Sequence, residues 1–176
     1  MRKFLDWAII VSATGFIAIL ALAAVFDHTI IWLHAFQALM YLAVIGLVAA
    51  RNRWGYFIAI AIAGLWNYLN LFVTTFFMSG VHALQQSIAT GHLTHPDQLI
   101  AVAAVAFHFV MVIAALILIV RTSSKAGQDV MRLAVAFVVF TSYFCVIIAL
   151  AQPRYLQLLP RMLHPHGLFE PATRRS

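Results

Sequence analysis

Five long runs of apolar residues are separated by short polar segments along the chain. Each run contains the roughly 20 apolar residues that an α-helix needs to cross a bilayer. The runs are Phe4–Phe26, Ile30–Ala50, Trp54–Met78, Leu99–Val120 and Leu133–Ala151. This pattern predicts an all-α, polytopic integral membrane protein in which five transmembrane helices form one bundle over residues 1–152.

The polar segments predict how these helices are connected. Short segments, 27–29 and 51–53, join the first three runs, so these helices are expected to be antiparallel neighbours. The longer segment from Ser79 to Gln98 predicts one or two interfacial helical turns before Pro96 stops them. Residues 153–176 alternate apolar and basic side chains, which predicts an extracytoplasmic tail at the membrane interface.

The first run begins with basic residues and has small residues near its end, as a secretory signal peptide does. It is longer than the apolar core of such a signal, and Asp6 and Trp7 lie near its start. We therefore expect a retained transmembrane helix.

Composition agrees with a membrane location. The 176 residues are 64% hydrophobic and 9% charged, with a mean hydropathy of +0.97, whereas soluble domains are roughly half apolar and a quarter charged. A soluble fold is therefore excluded. The net charge of +6 does not indicate nucleic-acid binding, because the basic residues lie beside apolar runs and set orientation in the bilayer.

The positions of Lys and Arg predict a cytoplasmic N-terminus and an extracytoplasmic C-terminus, in a multi-pass protein of the cytoplasmic (inner) membrane. Basic residues concentrate on the cytoplasmic side of membrane proteins. In this orientation the inner side holds Arg2, Lys3, Arg51, Arg53, Arg121, Lys125 and Arg132. The exceptions lie in the tail: Arg154, Arg161, Arg174 and Arg175.

Polar residues occur at helical spacing inside the second and third predicted spans, and the fourth has a lone histidine on a stripe of small residues. Residues three or four apart share one face of a helix, and a polar side chain that faces lipid has no hydrogen-bond partner. We therefore expect these faces to point into the bundle and form a polar cluster. Its members are His34, Gln37, Tyr41, Asn67, Asn70, Thr74 and His108.

The helix rise places this cluster between the outer boundary and the midplane of the membrane. His34 lies about 6 Å below that boundary, His108 about 14 Å, and Asn67 about 16 Å. Two interpretations remain open: a pocket open to the outside, or interhelical hydrogen bonds filling the same space. Such bonds contribute about 0.6 kcal/mol each and need no ligand, whereas intramembrane histidines favour a functional site.

Specific chemistries are only weakly indicated. Haem b needs two axial imidazoles from facing helices, but the depths of His34 and His108 differ by about 8 Å. His92 and His95 have an H-x-x-H spacing that could bind a metal, although scattered loop histidines are the commoner explanation. No assignable nucleophile or phosphate-binding loop occurs, so an enzyme is not indicated.

The sequence thus favours an accessory or structural subunit, or a small-molecule binding protein, of a membrane complex. The expected partners are the lipid bilayer and either a membrane protein or a second copy of the chain, and not nucleic acid. The alternative is an electron-transfer subunit that binds haem b or a quinone through His34 or His108.

Overall fold

Helices account for all regular structure in the computed structural model, which describes residues 1–123 and 125–163. Two 3₁₀ turns cover His28–Ile30 and Pro153–Leu158, and a π-helical turn covers Leu69–Val73. Five helical segments are long and apolar enough to cross a membrane, so the protein is an all-α membrane-spanning bundle, as the apolar runs predict. The helices are α1 (Arg2–Phe26), α2 (Ile31–Ala49), α3 (Trp54–Tyr68), α4 (Phe76–Thr90), α5 (Pro96–Thr122), α6 (Ala126–Ala151) and α7 (Leu159–Leu163).

The central element is α3 together with its π-helical turn. It packs against α2, α5 and α6, while α1 packs against α2 and α5. In the most apolar part of this span 61% of the residues are buried, against 22–39% in the other four spans. The outer faces of the surrounding helices expose Ile, Val, Leu and Phe side chains, which suit contact with lipid tails of similar polarity.

The third span is shorter than its apolar run predicts, because the helix ends at Val73 and not at Met78. The backbone of Thr74 is extended (φ −115°, ψ 171°), and its N–H donates to the Leu69 carbonyl at 2.8 Å. Thr74 and Thr75 are both β-branched, and such residues are poor helix formers. The chain therefore breaks here and starts a separate helix, α4.

The helix α4 replaces the one or two turns that the sequence predicts, and it is 15 residues long. It ends at Gly91, whose φ of 68° is the left-handed conformation that favours glycine after a helix. Pro96 then begins α5, a position where the missing N–H of proline costs nothing. The sixth helix likewise begins earlier than its apolar run, at Ala126 rather than Leu133.

The bundle has a basic end and a tail end. The basic end holds the start of α1, the α2–α3 connection, the end of α5 and the start of α6, where Arg53 and Arg132 donate to Asp129 at 2.9 and 3.0 Å. Nearby, the Tyr56 hydroxyl donates to Asp6 at 2.8 Å. These bonds pair both carboxylates, each of which is under a tenth exposed.

The tail end holds α4, the α1–α2 connection and residues 153–163. Arg154 donates to Thr29 at 2.9 Å and forms an ion pair with Asp27 at 3.4 Å. Hydrogen bonds from Thr29, with help from Arg154, hold the pKa of the Asp27 carboxyl below its usual value. Tyr68 donates to the Met162 carbonyl at 2.6 Å, so the tail is tied to the bundle. Residues 164–176 of the predicted interfacial tail lie outside the described residues.

Candidate binding cavity

A cavity of about 110 Å³ lies between α2, the π-helical turn, α6 and the tail. Its walls are mostly apolar, with Leu33, Leu69, Phe144 and Ile148 among them, and a few polar side chains interrupt them. This composition is usual for small-molecule sites. An apolar cavity of about 150 Å³ holds benzene, and this cavity is smaller, so a group buried in it can be no larger than a single small ring.

The structure brings four of the predicted cluster residues together on the wall of this cavity: His34, Gln37, Asn70 and Thr74. The other three, Tyr41, Asn67 and His108, lie further towards the basic end and are buried. Neither amide of the central helix faces lipid, since Asn67 is 8% exposed and Asn70 is 4% exposed.

The π-helical turn explains how Asn70 reaches the cavity. Asn70 lies within this turn, and its neighbours Leu69 and Val73 are also buried. A π-helical turn adds one residue to the helical repeat, and such turns are frequent at functional sites. The turn therefore ends the span next to the cavity, with Leu69, Asn70 and Thr74 all on the wall.

His34 is anchored to the first helix and not to the other cluster residues. Its Nδ1–H donates to the Leu20 carbonyl at 2.9 Å, because a carbonyl oxygen can only accept. This bond selects the tautomer in which Nε2 of the neutral ring is an acceptor. The acceptor nitrogen of His34, a residue of the cavity lining, is therefore Nε2.

Several polar atoms in and around the cavity are buried without a hydrogen-bond partner among the described residues. Three of these atoms belong to residues that line the cavity: Gln37 Oε1, Trp66 Nε1 and Thr74 Oγ1. Trp66 supplies a donor, Gln37 Oε1 an acceptor, and Thr74 either. An unpaired buried polar group costs about 1–3 kcal/mol, so a bound molecule that pairs with these atoms is stabilised in return.

Tyr41 and His108 form a separate pair in the core. A hydrogen bond of 2.8 Å joins the Tyr41 hydroxyl to His108 Nε2, and both residues are fully buried. The Phe16 and Trp66 rings lie 4.1 and 6.3 Å from the imidazole centroid. Trp66 thus contacts this pair on one side and lines the cavity on the other. This is the single direct side-chain hydrogen bond among the predicted cluster residues in the described part of the chain.

The geometry does not suit a haem held between His34 and His108. His108 is absent from the cavity wall, its Nε2 is occupied by Tyr41, and aromatic rings pack against it. Sites for drug-sized molecules measure roughly 300–1,000 Å³, whereas this cavity measures about 110 Å³. The two histidines therefore do not form one axial pair.

His92 and His95 are both exposed at the tail end. Over residues 1–123 and 125–163, no three His, Cys, Asp or Glu side chains are grouped closely enough to hold a metal ion. His164 and His166, which could complete a site with them, lie outside the described residues.

Sequence reasoning missed the paired carboxylates of the basic end. Asp6 has the appearance of an interfacial residue, and Asp129 precedes the last apolar run. Their burial depends on Tyr56, Arg53 and Arg132, which come from other turns or other helices. The spacing of residues within one helix could not have indicated that Asp6 bonds to Tyr56 or that Asp129 bonds to Arg53.

The chain matches no model of a known protein family, no curated protein and no solved structure. Its class therefore follows from the fold and the cavity. It is an all-α, multi-pass membrane protein with a small, partly polar cavity between its helices.

Proposed function

We propose that this protein binds a small amphiphilic molecule within the membrane, with the polar head of the molecule in the cavity. The observation that supports this is the coincidence of a small, mostly apolar cavity with buried, unpaired polar atoms on residues that line it. A molecule taken from the bilayer can pair with Gln37, Trp66 and Thr74 while its apolar part stays among apolar side chains.

A quinone is the second candidate, and it belongs to the electron-transfer alternative. The carbonyl oxygens of its headgroup accept hydrogen bonds. Trp66 Nε1–H and the Asn70 amide are donors on the cavity wall. This candidate needs no axial pair of histidines.

The orientation proposed with this function places the basic end in the cytoplasm. Arg53 and Arg132 lie at that end, and Arg121 reaches Met1, just before α1, there. Basic residues of this kind mark the cytoplasmic side. The cavity then lies in the outer half of the membrane, and the protein belongs to a cytoplasmic-type membrane.

Purification in a mild detergent tests the binding proposal. The organic extract of the pure protein is analysed by mass spectrometry for the wild type and for Asn70→Leu and Thr74→Val. Both variants remove the polar group of the side chain and nearly keep the side chain's shape. Each should lower the amount of retained ligand ~2- to 10-fold, because one hydrogen bond contributes roughly 0.5–1.5 kcal/mol.

Thr141→Val is the matched control, because Thr141 lies on a transmembrane helix but not on the cavity wall. It should retain the ligand at the wild-type level. Absence of any near-stoichiometric small molecule, or equal retention in all four proteins, would contradict the proposal. A stoichiometric second protein in the same preparation would support the accessory-subunit role, and a redox-sensitive absorption change in the extract would identify the ligand as a quinone.

A further inference from the structure

A second concave feature lies on the lipid-facing surface, away from the cavity. It is a groove of about 430 Å³ between α1 and α5, lined by Trp7, Ile10, Val11, Thr14, Gly15 and Phe107. Trp7 is 63% exposed and Val11 is 57% exposed, so the groove opens outward from the bundle. From Trp7 to Gly15 it extends about 12 Å along the helix axis.

Gly15 lets the two helices meet at one end of this groove. A Cβ atom added at Gly15 would lie 2.6 Å from the Phe107 ring, which is closer than atoms can approach. The ring therefore rests directly on the backbone of α1. The apolar surface continues from this contact towards Trp7 and the basic end.

Two cations lie on the same two helices beyond the Trp7 end of the groove, outside its lining. Lys3 precedes Trp7 by four residues, and Trp7 precedes Val11 by four, so the three share one face of α1. Arg121, near the end of α5, reaches across to α1 and contacts the Met1 sulfur at 3.0 Å. The groove is thus lined mainly by apolar side chains, and a lysine and an arginine follow it towards the basic end.

The two carboxylates of this end bond to residues outside the groove lining. Asp6 accepts a hydrogen bond from Tyr56 on α3, and Asp129 pairs with Arg53 and Arg132. Among the described residues, neither Lys3 nor Arg121 has a carboxylate within 4.0 Å. These two cations are therefore available to an anion from the membrane.

We propose that the α1–α5 groove binds an anionic phospholipid. One acyl chain lies along Trp7, Val11 and Thr14, and the phosphate lies between Lys3 and Arg121. Basic residues at the membrane surface favour anionic lipid headgroups, and Trp7 is an indole of the kind that sits at headgroup level. In the proposed orientation this lipid belongs to the cytoplasmic leaflet.

Neither the positive charge nor the shape of the groove alone would make it selective for an anionic lipid. Basic residues at this end also set membrane orientation, and any apolar groove in a membrane contacts lipid. Selectivity arises from the two together, because the lysine and the groove share one helix face and the arginine crosses the same helix pair.

The proposal is tested with vesicles that contain phosphatidylglycerol and phosphatidylcholine at equal mole fractions. The acyl chains of one lipid carry bromine, which quenches tryptophan fluorescence on contact. The protein carries Trp32→Phe, Trp54→Phe and Trp66→Phe, so that Trp7 is the reporter. Brominated phosphatidylglycerol should quench Trp7 more strongly than brominated phosphatidylcholine does. Each of the two cations should contribute a factor of about five to this lipid preference.

The preference should fall to near unity in Lys3→Gln with Arg121→Gln, and it should persist when Lys3→Arg keeps the charge. Arg51→Gln is the matched control, because Arg51 is exposed in the α2–α3 connection at the same end but off the groove. Native mass spectrometry of the protein with all its tryptophans, given the same two lipids, provides a second measurement if the triple variant does not fold. Equal quenching and equal binding by the two lipids, or a preference unchanged in the double Gln variant, would overturn the proposal.

Discussion

At the residue scale, only one of the two ring nitrogens of His108, at the centre of the bundle, is hydrogen-bonded within the described part of the chain. Its Nε2 shares a hydrogen bond with Tyr41, and its Nδ1 has no partner among the described residues. The bond joins α2 to α5, two helices that are otherwise connected mainly through α1 and α3. Tyr41 therefore links parts of the core that share few other contacts.

Tyr41→Phe should lower the free energy of unfolding by about 1–2 kcal/mol. This is near the upper end for interhelical bonds in membranes, about 1.7 kcal/mol, because both nitrogens of the buried imidazole would then lack partners. Thermal unfolding in detergent measures the effect. Tyr143→Phe is the control, since its hydroxyl donates to the Phe36 carbonyl at an exposed site. An equal shift in both variants would show that burial of the pair adds nothing.

At the element scale, the break after Val73 creates α4 and places it against α5. The two helices meet at Gly80, where an added Cβ would lie 2.7 Å from the Gln98 carbonyl oxygen and 3.0 Å from Val102. A backbone oxygen cannot move aside as a flexible side chain can. The position of α4, and with it Phe76 on the cavity wall, therefore depends on a glycine at this crossing.

Gly80→Ala should destabilise the contact between α4 and α5 by ~1–3 kcal/mol, the usual cost of overpacking. Hydrogen exchange should become faster in α4 while that of α3 stays unchanged. Gly46→Ala is the matched control: no atom lies within 4 Å of its added Cβ, and alanine in a helix interior is favoured over glycine by roughly 0.5–1 kcal/mol. If α4 exchanges at the wild-type rate in Gly80→Ala, the crossing does not hold this helix in place.

At the scale of the whole molecule, the two ends of the bundle suggest two environments. The basic end carries two buried carboxylates: Asp129 pairs with Arg53 and Arg132, and Asp6 accepts a hydrogen bond from Tyr56. The tail end carries α4, the cavity and an ion pair that ties the tail to the α1–α2 connection. A single orientation in the membrane would expose the cavity end to one side only.

Cysteine labelling tests that orientation. Single cysteines replace Gln86 on α4 and Gln128 at the start of α6, both exposed and at opposite ends of the bundle, in a Cys145→Ala background. An impermeant thiol reagent applied outside intact cells should label position 86 and spare position 128, because the basic end is expected to face the cytoplasm. Labelling of 128 with protection of 86 would reverse the proposed orientation.

The sequence predicts those features of this protein that depend on interactions within a single segment. Apolar runs of bilayer length had to become helices, because backbone polar groups in lipid must be paired within the same segment. Helical spacing also indicated that Gln37, Asn67 and Asn70 face inward, and all three are buried. These are local properties, which a single segment determines.

Contacts between distant segments were decided by the tertiary structure. The sequence did not show that the third span would end in a π-helical turn at Val73, or that His34 would bond to the Leu20 backbone on another helix. Nor did it show that Tyr41 and His108 would pair with each other and leave the cavity to four other cluster residues. Periodicity determines which face of a helix turns inward, but the packing of side chains across helices determines which groups on those faces meet.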